Sequence, residues 1–297
     1  MNLKYSLEYR LAQIIAFLLN SMPVGLSSKI VCLLSRLAGL VLPSRKKIAL
    51  VNLDRVFGSS LTQLQKEKIL GAAFESMSLA MLELFIVRKI KKNARSHFKL
   101  TGNEHLEKAF AEGKGVILVI SHLGSWEYLA FLPYLTGHPW SVIVKDVKNP
   151  YLNQTIDQLR REMTVTPIPK VDSIKAVMKE LRANHGVAIL IDQWAGGEGI
   201  WTNFFDQPTS TTSIPARLAH KTGAALVPAC CLRTSTGQYE IQIEPTVPFD
   251  PAKDDWEISM TEQLNQLLEE KIRRHPDQWI WNHRRWKSKP AYTREPN

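Results

Sequence analysis

The feature that most restricts the fold is an alternation of apolar runs with helical segments after residue 95. Runs of strand length occur at 115–121, 140–146, 165–169, 186–192, 224–233 and 239–245. Helical patterns occur at 124–136, 149–163, 172–184 and 212–223, and a final helix is predicted at about 255–274. This alternation predicts an α/β fold with a mixed, mostly parallel sheet flanked by helices on both faces. Only a short turn separates the last two strands, so we expect that pair to be antiparallel.

The first 95 residues have helical patterns throughout and are predicted to form a separate region packed on a core of residues 96–297. Two apolar stretches, 11–19 and 30–42, fall short of the roughly 20 residues that a membrane-spanning helix requires. Cations follow the second stretch at 45–47. We therefore predict two amphipathic helices that dock on a membrane surface with a basic rim. An ordinary helical hairpin that packs on the core fits the same pattern.

A net charge of +10 over 297 residues indicates an acidic partner. Nucleic acid, an anionic membrane surface and an acidic carrier protein all meet this requirement. The three cysteines show neither a disulfide framework nor a metal-binding spacing, which favours a reducing compartment. No metal site, phosphate-binding loop or dinucleotide fingerprint is present, so we expect no metal and no cofactor.

The segment from 115 to 129 contains the most informative motif. A buried strand ends at His122, a turn at Gly124 and Ser125 follows, and Glu127 is predicted in the first turn of a helix. A carboxylate in that position could reach the imidazole, fix its tautomer and make it a general base. A loop that contains a histidine and a glutamate by chance is the alternative.

A second predicted strand ends in polar residues, Asp192 and Gln193. In open α/β sheets ligands bind beyond the carboxyl ends of the strands. We therefore predict that Asp192 and Gln193, together with Ser125 and Trp126, contact substrate. Capping of the loop is an equally good role for Asp192.

Five blocks in this order resemble the lipid A late acyltransferases, the lauroyl and myristoyl transferases with an H-x4-D/E motif. In chain order they are "SRKKIALVNLDRVF" at 44–57, "SHLGSWE" at 121–127, "KNPYLNQTIDQLRREM" at 148–163, the long block at 189–233 and "WIWNHRRWK" at 279–287. Thr164 and Asp206 stand where that family usually has glycine. Because of these departures, the acyl acceptor stays open between a lipid A precursor and other membrane glycolipids, including mannosides, or a lysophospholipid.

The resemblance implies a glycerol-3-phosphate-acyltransferase-like fold and an O-acyltransferase at the cytoplasmic face of the bacterial inner membrane. The donor would be an acyl-acyl carrier protein. His122 would be the general base, Glu127 its partner, and Arg160 would stabilise an oxyanion or bind a phosphate. We expect a monomer that does not bind nucleic acid. A basic membrane-surface protein without catalysis explains the charge equally well but not the His–Glu motif, and a thioesterase could use the same residues.

Overall fold

A computed structural model describes residues 3–41, 43–171, 173–248 and 254–287. Its strands are β1 (Phe98–Thr101), β2 (Val116–Ile120), β3 (Trp140–Val144), β4 (Val165–Pro169), β5 (Gly186–Leu190), β6 (Ile200–Phe204), β7 (Gln207–Thr211), β8 (Ala225–Ser235) and β9 (Gln238–Ile243). A seven-stranded sheet has the order β1-β9-β8-β2-β5-β3-β4, and β6 and β7 form a separate hairpin.

The sheet confirms the predicted α/β class. The pairs β2–β5, β2–β8, β3–β5, β3–β4 and β1–β9 are parallel, and β8–β9 is antiparallel, as the short turn predicts. Strand β4 lies at an edge, where its two prolines remove no hydrogen bond from a central ladder. The patterns did not predict β1, a four-residue strand at the other edge, or the β6–β7 hairpin that follows the glycine-rich loop 195–199.

Strand β2 is buried along its whole length because helices cover both faces of the sheet. Ile117 and Val119 belong to one apolar cluster, whereas Val116, Leu118 and Ile120 belong to another on the opposite face. This explains why the strand reads as an unbroken apolar run rather than an alternating one. It also places the residues that follow β2 at the centre of the sheet's carboxyl edge.

The helices surround this sheet. They are α1 (Leu3–Ser21), α2 (Val24–Val41), α3 (Pro43–Phe57), α4 (Gln63–Lys92), α5 (Ala94–His97), α6 (Asn103–Ala111), α7 (Leu132–Thr136), α8 (Pro150–Glu162), α9 (Ser173–Arg182), α10 (Ile214–Thr222) and α11 (Trp256–Arg274). The segment predicted as a helix over 124–136 begins instead as a 3₁₀ helix, Trp126–Phe131, and continues as α7. Leu42, at the end of the second apolar stretch, lies outside the described residues. The division near residue 95 stays a prediction.

Among the described helices, α4 is long and apolar enough to cross a membrane. A core helix passes the same test, and Leu82, Ile86 and Ile90 of α4 are buried in the same cluster as sheet residues. A capping box of Thr62 and Gln65 starts this helix.

Helices α1 and α2 expose large apolar side chains. On α1 these are Leu3, Leu7, Leu11, Ile14, Ile15, Phe17 and Leu18, and on α2 they are Leu26, Leu33, Leu34 and Leu37. Leu3 and Phe17 are 81% and 73% exposed. Exposed apolar side chains in this number are what a docking face requires, and docking on a membrane stays a prediction.

Both positions at which the resembled family usually has glycine have left-handed backbone. The φ angle is 69° at Thr164, after α8, and 56° at Asp206, in the two-residue turn of the β6–β7 hairpin. Side chains with a Cβ atom, and β-branched ones above all, are disfavoured there. Thr164 and Asp206 are therefore backbone positions that this chain fills at a conformational cost.

We predict that Thr164→Gly raises the free energy of unfolding by about 1 kcal/mol, because glycine adopts the left-handed conformation without that cost. Urea titration measures the change. Thr166→Gly on the nearby strand β4 is the control and should be destabilising, because glycine weakens a strand. Equal effects of the two substitutions would contradict this account of Thr164.

Candidate active site

His122 and Asp192 meet at the carboxyl ends of the adjacent strands β2 and β5. His122 Nδ1 lies 2.8 Å from Asp192 Oδ1, and the His122 backbone N–H donates to Asp192 Oδ2 at 2.8 Å. The carboxylate accepts hydrogen bonds only, so the ring nitrogen Nδ1 carries the proton. In the neutral ring Nε2 then carries the lone pair, which is what a general base requires.

Trp279 supplies a third hydrogen bond to the Asp192 carboxylate: its indole N–H donates to Oδ2 at 2.8 Å. The Asp192 side chain is fully buried. Burial by itself favours the neutral acid, but the His122 ring, the Trp279 N–H and the His122 backbone N–H together lower the pKa of Asp192 to about 2. The carboxylate is therefore ionised at neutral pH and fixes the orientation of the imidazole.

The predicted contact between Glu127 and His122 is wrong in this structure, because the carboxylate partner of the ring is Asp192. Glu127 instead forms a two-pronged ion pair with Arg160, with Nη2 to Oε1 at 2.9 Å and Nε to Oε2 at 3.3 Å. The distance between His122 and Glu127 along the chain suggested a pair that the fold does not make. The first turn after Ser125 is a 3₁₀ helix, and Glu127 there lies opposite α8.

Arg160 and Arg161 point in different directions from α8, as their spacing of about 100° predicts. The Arg160 side chain is 14% exposed and lines a cavity beside His122, whereas Arg161 is exposed. Arg160 also donates to Asp157 at 3.3 Å. Burial opposes its charge, but Glu127 and Asp157 outweigh that effect and raise the pKa of Arg160. Two of its five N–H donors remain for a ligand.

An apolar cavity of about 280 Å³ opens beside this group. Its polar lining consists of His122, Glu127, Ser141, Lys145 and Arg160. Its apolar lining comes mainly from one face of β2, β5 and β3 and from the 3₁₀ helix Trp126–Phe131: Leu118, Ile120, Trp126, Leu129, Ala130, Trp140, Val142, Val144, Ala188 and Leu190. Charged groups at one end and apolar walls along the rest suit an amphipathic substrate.

Small residues on β5 make room for this cavity. Gly186 pairs with Trp140 and Ala188 with Val142, so these side chains lie side by side on one face of the sheet. A Cβ atom at Gly186 would lie 2.2 Å from the Trp140 indole, so the ring rests directly on the glycine backbone. Trp140 thereby closes the cavity at the end remote from His122. Four residues of strand separate Gly186, at the level of Trp140, from Leu190, the last residue of β5 that lines the cavity, a length of about 13 Å.

The turn that carries His122 packs tightly on β8 and on the C-terminal segment. Gly124 has a φ of 64°, and a Cβ atom there would lie 2.3 Å from the Cys231 carbonyl oxygen. Its N–H donates to the Gln278 carbonyl at 2.9 Å, and the Ser125 N–H donates to the Cys231 carbonyl at 2.7 Å. The predicted tight turn is therefore present, and it requires glycine at 124.

The residues predicted to contact substrate lie in different places. Trp126 lines the cavity, and its ring meets the His122 ring edge-on, with centroids 5.2 Å apart. The Gln193 side-chain amide lies 3.3 Å from His122 Nε2. Ser125 is fully buried and outside the cavity lining, so its position does not support a substrate contact. Asp192 is likewise buried and acts on His122.

Sequence reasoning missed three residues of the C-terminal segment. Trp279 anchors Asp192, and the fully buried Arg285 donates to the carbonyls of Gln193 and Ser210 at 2.8 and 2.7 Å. Burial lowers the pKa of Arg285 to about 10. Burial also lowers the pKa of His283 to about 4, so this ring is neutral at physiological pH. The only signal for them was the tryptophan-rich closing block.

Within the described ranges no group of three or more His, Cys, Asp or Glu side chains is arranged to hold a metal ion.

The site thus places a histidine, oriented by a buried carboxylate, beside an apolar cavity on an α/β sheet. A family model described as bacterial lipid A biosynthesis acyltransferase matches residues 2–288, and the chain belongs to this family. It is 25% identical over 286 residues to a lipid A biosynthesis lauroyltransferase of Escherichia coli K12, covering 93% of this chain and 90% of that protein.

Two further relatives show the range of the family. A phosphatidylinositol mannoside acyltransferase of Mycobacterium tuberculosis H37Rv is 26% identical over 242 residues, which cover 79% of this chain and 75% of that protein. A lipid A biosynthesis acyltransferase of Haemophilus influenzae is 24% identical over 223 residues, covering 74% of this chain and 69% of that protein. The protein is thus a lipid acyltransferase of the lipid A biosynthesis type.

Proposed function

We propose that the protein transfers a fatty acyl chain from acyl-acyl carrier protein to a hydroxyl of a lipid A precursor, with His122 as general base. The observation that supports this most is the cavity, since the ring of His122 lies at its polar end and apolar side chains line its length. A thioester placed at that end would have its chain in the cavity and its carbonyl beside the base. A mannosylated membrane glycolipid is the second candidate acceptor, because relatives acting on such lipids share the family.

In the proposed reaction His122 Nε2 takes the proton of the acceptor hydroxyl while that oxygen attacks the thioester carbonyl. The new C–O bond forms, the C–S bond breaks, and the thiolate of the carrier leaves with the proton from the imidazolium. Asp192 holds the ring in the required tautomer and stabilises the imidazolium. Arg160, fixed by Glu127, stabilises the negative charge that develops on the carbonyl oxygen.

The net charge of +10 has two uses in this proposal. It attracts the acidic carrier protein, and it holds a phosphorylated glycolipid at an anionic bilayer. The apolar faces of α1 and α2 would enter the cytoplasmic leaflet of the inner membrane. Helix α1 also touches the start of α8, because Asn149 Nδ2 donates to the Tyr5 carbonyl at 2.9 Å. Membrane docking would therefore occur next to the helix that carries Arg160.

A kinetic double-mutant cycle tests the base and its partner. His122→Ala and Asp192→Asn should each lower the rate of acyl transfer by roughly 10²–10⁴, because the pair works as a unit. The double variant should be scarcely slower than either single variant. Initial rates with acyl-acyl carrier protein and a lipid A precursor measure this, and Arg161→Ala on the exposed side of α8 is the control. Additive losses, or an active His122→Ala enzyme, would rule out the proposed pair.

Trp140 and Ala188 provide a test of the acyl cavity. We predict that Trp140→Leu deepens it and shifts the preferred donor toward longer chains, whereas Ala188→Leu blocks it midway and shifts preference toward shorter ones. Competition among donors of different length, read by mass spectrometry of the product, measures both shifts. Trp140→Leu should also cost about 2–4 kcal/mol of stability, so folding is checked first. An unchanged order of preference in both folded variants would place the acyl chain elsewhere.

The membrane-docking face can be tested by vesicle flotation. Leu7→Glu together with Leu11→Glu should release the protein from vesicles that contain anionic lipid, because charges on this face cannot enter the apolar layer. A double substitution on the exposed side of α11, Glu270→Gln with Arg274→Gln, is the control and should leave binding unchanged. Full flotation of the Leu7/Leu11 variant would locate membrane binding in another surface.

A further inference from the structure

A buried ion pair lies on the side of the His122–Glu127 turn that faces away from the cavity. Arg233, on β8, donates from Nε to Glu83 Oε1 on α4 at 2.8 Å, and its Nη2 lies 2.8 Å from the same oxygen. The two side chains are 12% and 4% exposed. Removing two charges from water is costly, and replacement by apolar residues often stabilises a protein. The pair is therefore unexplained by stability alone.

The guanidinium of Arg233 joins α4 to the turn. Its Nη2 donates to the Ser125 hydroxyl at 2.9 Å, and its Nη1 donates to the Ser76 hydroxyl on α4 at 3.1 Å. Ser125 is completely buried and lies between His122 and Glu127 in the chain. One rigid planar group thus connects a 30-residue helix with the middle of the turn.

The backbone of Arg233 is also connected to the turn, through Gln278. The Gln278 side chain accepts from the Arg233 N–H at 3.0 Å and donates to the Arg233 carbonyl at 3.1 Å. The Gln278 carbonyl in turn accepts from Gly124. The turn has no regular hydrogen-bond ladder of its own, so these contacts with β8 and the C-terminal segment set its conformation.

We propose that Glu83 and Arg233 are positioning residues, which hold Ser125 and thereby set the placement of His122 relative to Glu127 and Arg160. Neither residue lines the cavity beside His122, so neither touches substrate there. Glu83 fixes the guanidinium, and the guanidinium fixes the hydroxyl of Ser125. The proposal rests on the function assigned to His122. It adds that the rate depends on an ion pair outside the substrate cavity.

Ser125→Ala and Ser76→Ala form a matched pair of variants. Each removes one hydroxyl that accepts from the same guanidinium, but only Ser125 belongs to the turn. Because small displacements of catalytic groups are costly, Ser125→Ala should lower kcat by about 10- to 100-fold with the KM for the acyl donor unchanged. Ser76→Ala should keep the wild-type kcat. Thermal unfolding should show comparable stability of the two variants.

Hydrogen–deuterium exchange of the peptide that contains residues 115–131 provides a readout independent of activity. It should be faster in Ser125→Ala than in Ser76→Ala. Glu83→Gln should lower kcat through the same route, so the Glu83→Gln/Ser125→Ala double variant should be no slower than Ser125→Ala. If Glu83→Gln does not fold, the serine pair alone decides.

The two proposals fail in different ways. An active His122→Ala enzyme would overturn the proposed function, and the exchange measurement would still show whether Arg233 holds the turn. A dead His122→Ala enzyme with equal kcat and equal exchange in the two serine variants would overturn the positioning role alone. A fall in kcat shared equally by Ser125→Ala and Ser76→Ala would also overturn it.

Discussion

The site depends on the buried carboxylate of Asp192. It accepts hydrogen bonds from the ring and the backbone of His122 and from the indole of Trp279. A carboxylate without water remains charged only when such donors surround it, so the ring, the turn and the C-terminal segment are fixed together. Displacement of any one donor would leave part of a buried negative charge unsatisfied. The placement of the His122 ring is therefore coupled to the packing of three separate parts of the chain.

Strand β5 combines two requirements of the site. Its end delivers Asp192 to the neighbouring strand β2, Ala188 leaves space for the cavity, and Gly186 accommodates the Trp140 ring that closes it. The end wall of the cavity and the carboxylate are thus set along one stretch of chain, about 20 Å apart if it is extended throughout. A larger residue in the strand would change the cavity without moving the His122 ring, so the size of the cavity and the placement of the ring can be altered separately.

The alternation of apolar runs was enough to predict the α/β class, the strands of the sheet's centre and the antiparallel last pair. It was not enough to predict the partner of His122. Asp192 lies 70 positions further along the chain, and the two meet only because β2 and β5 are neighbours in the sheet. Strand order depends on long-range packing, which local periodicity does not contain. The spacing of Glu127 suggested a nearer partner, whereas the polar residues after both strands were the correct signal. The tryptophan-rich closing block contained Trp279 and Arg285 but did not indicate their roles, since those roles come from burial beside distant strands.

The contacts of Trp279 and Arg285 have a consequence for the timing of activity during synthesis. Trp279 supplies a donor to Asp192, and Arg285 holds the backbone of Gln193, yet both lie near the end of the described chain. While the ribosome is still making that segment, β2 and β5 can already be present, but the Asp192 carboxylate lacks its indole partner. A nascent chain can therefore form the sheet and bring His122 and Asp192 together before the carboxylate has its full set of donors. A chain stalled before residue 279 would hold a buried carboxylate with one donor missing, so completion of the site waits for the last part of the described chain.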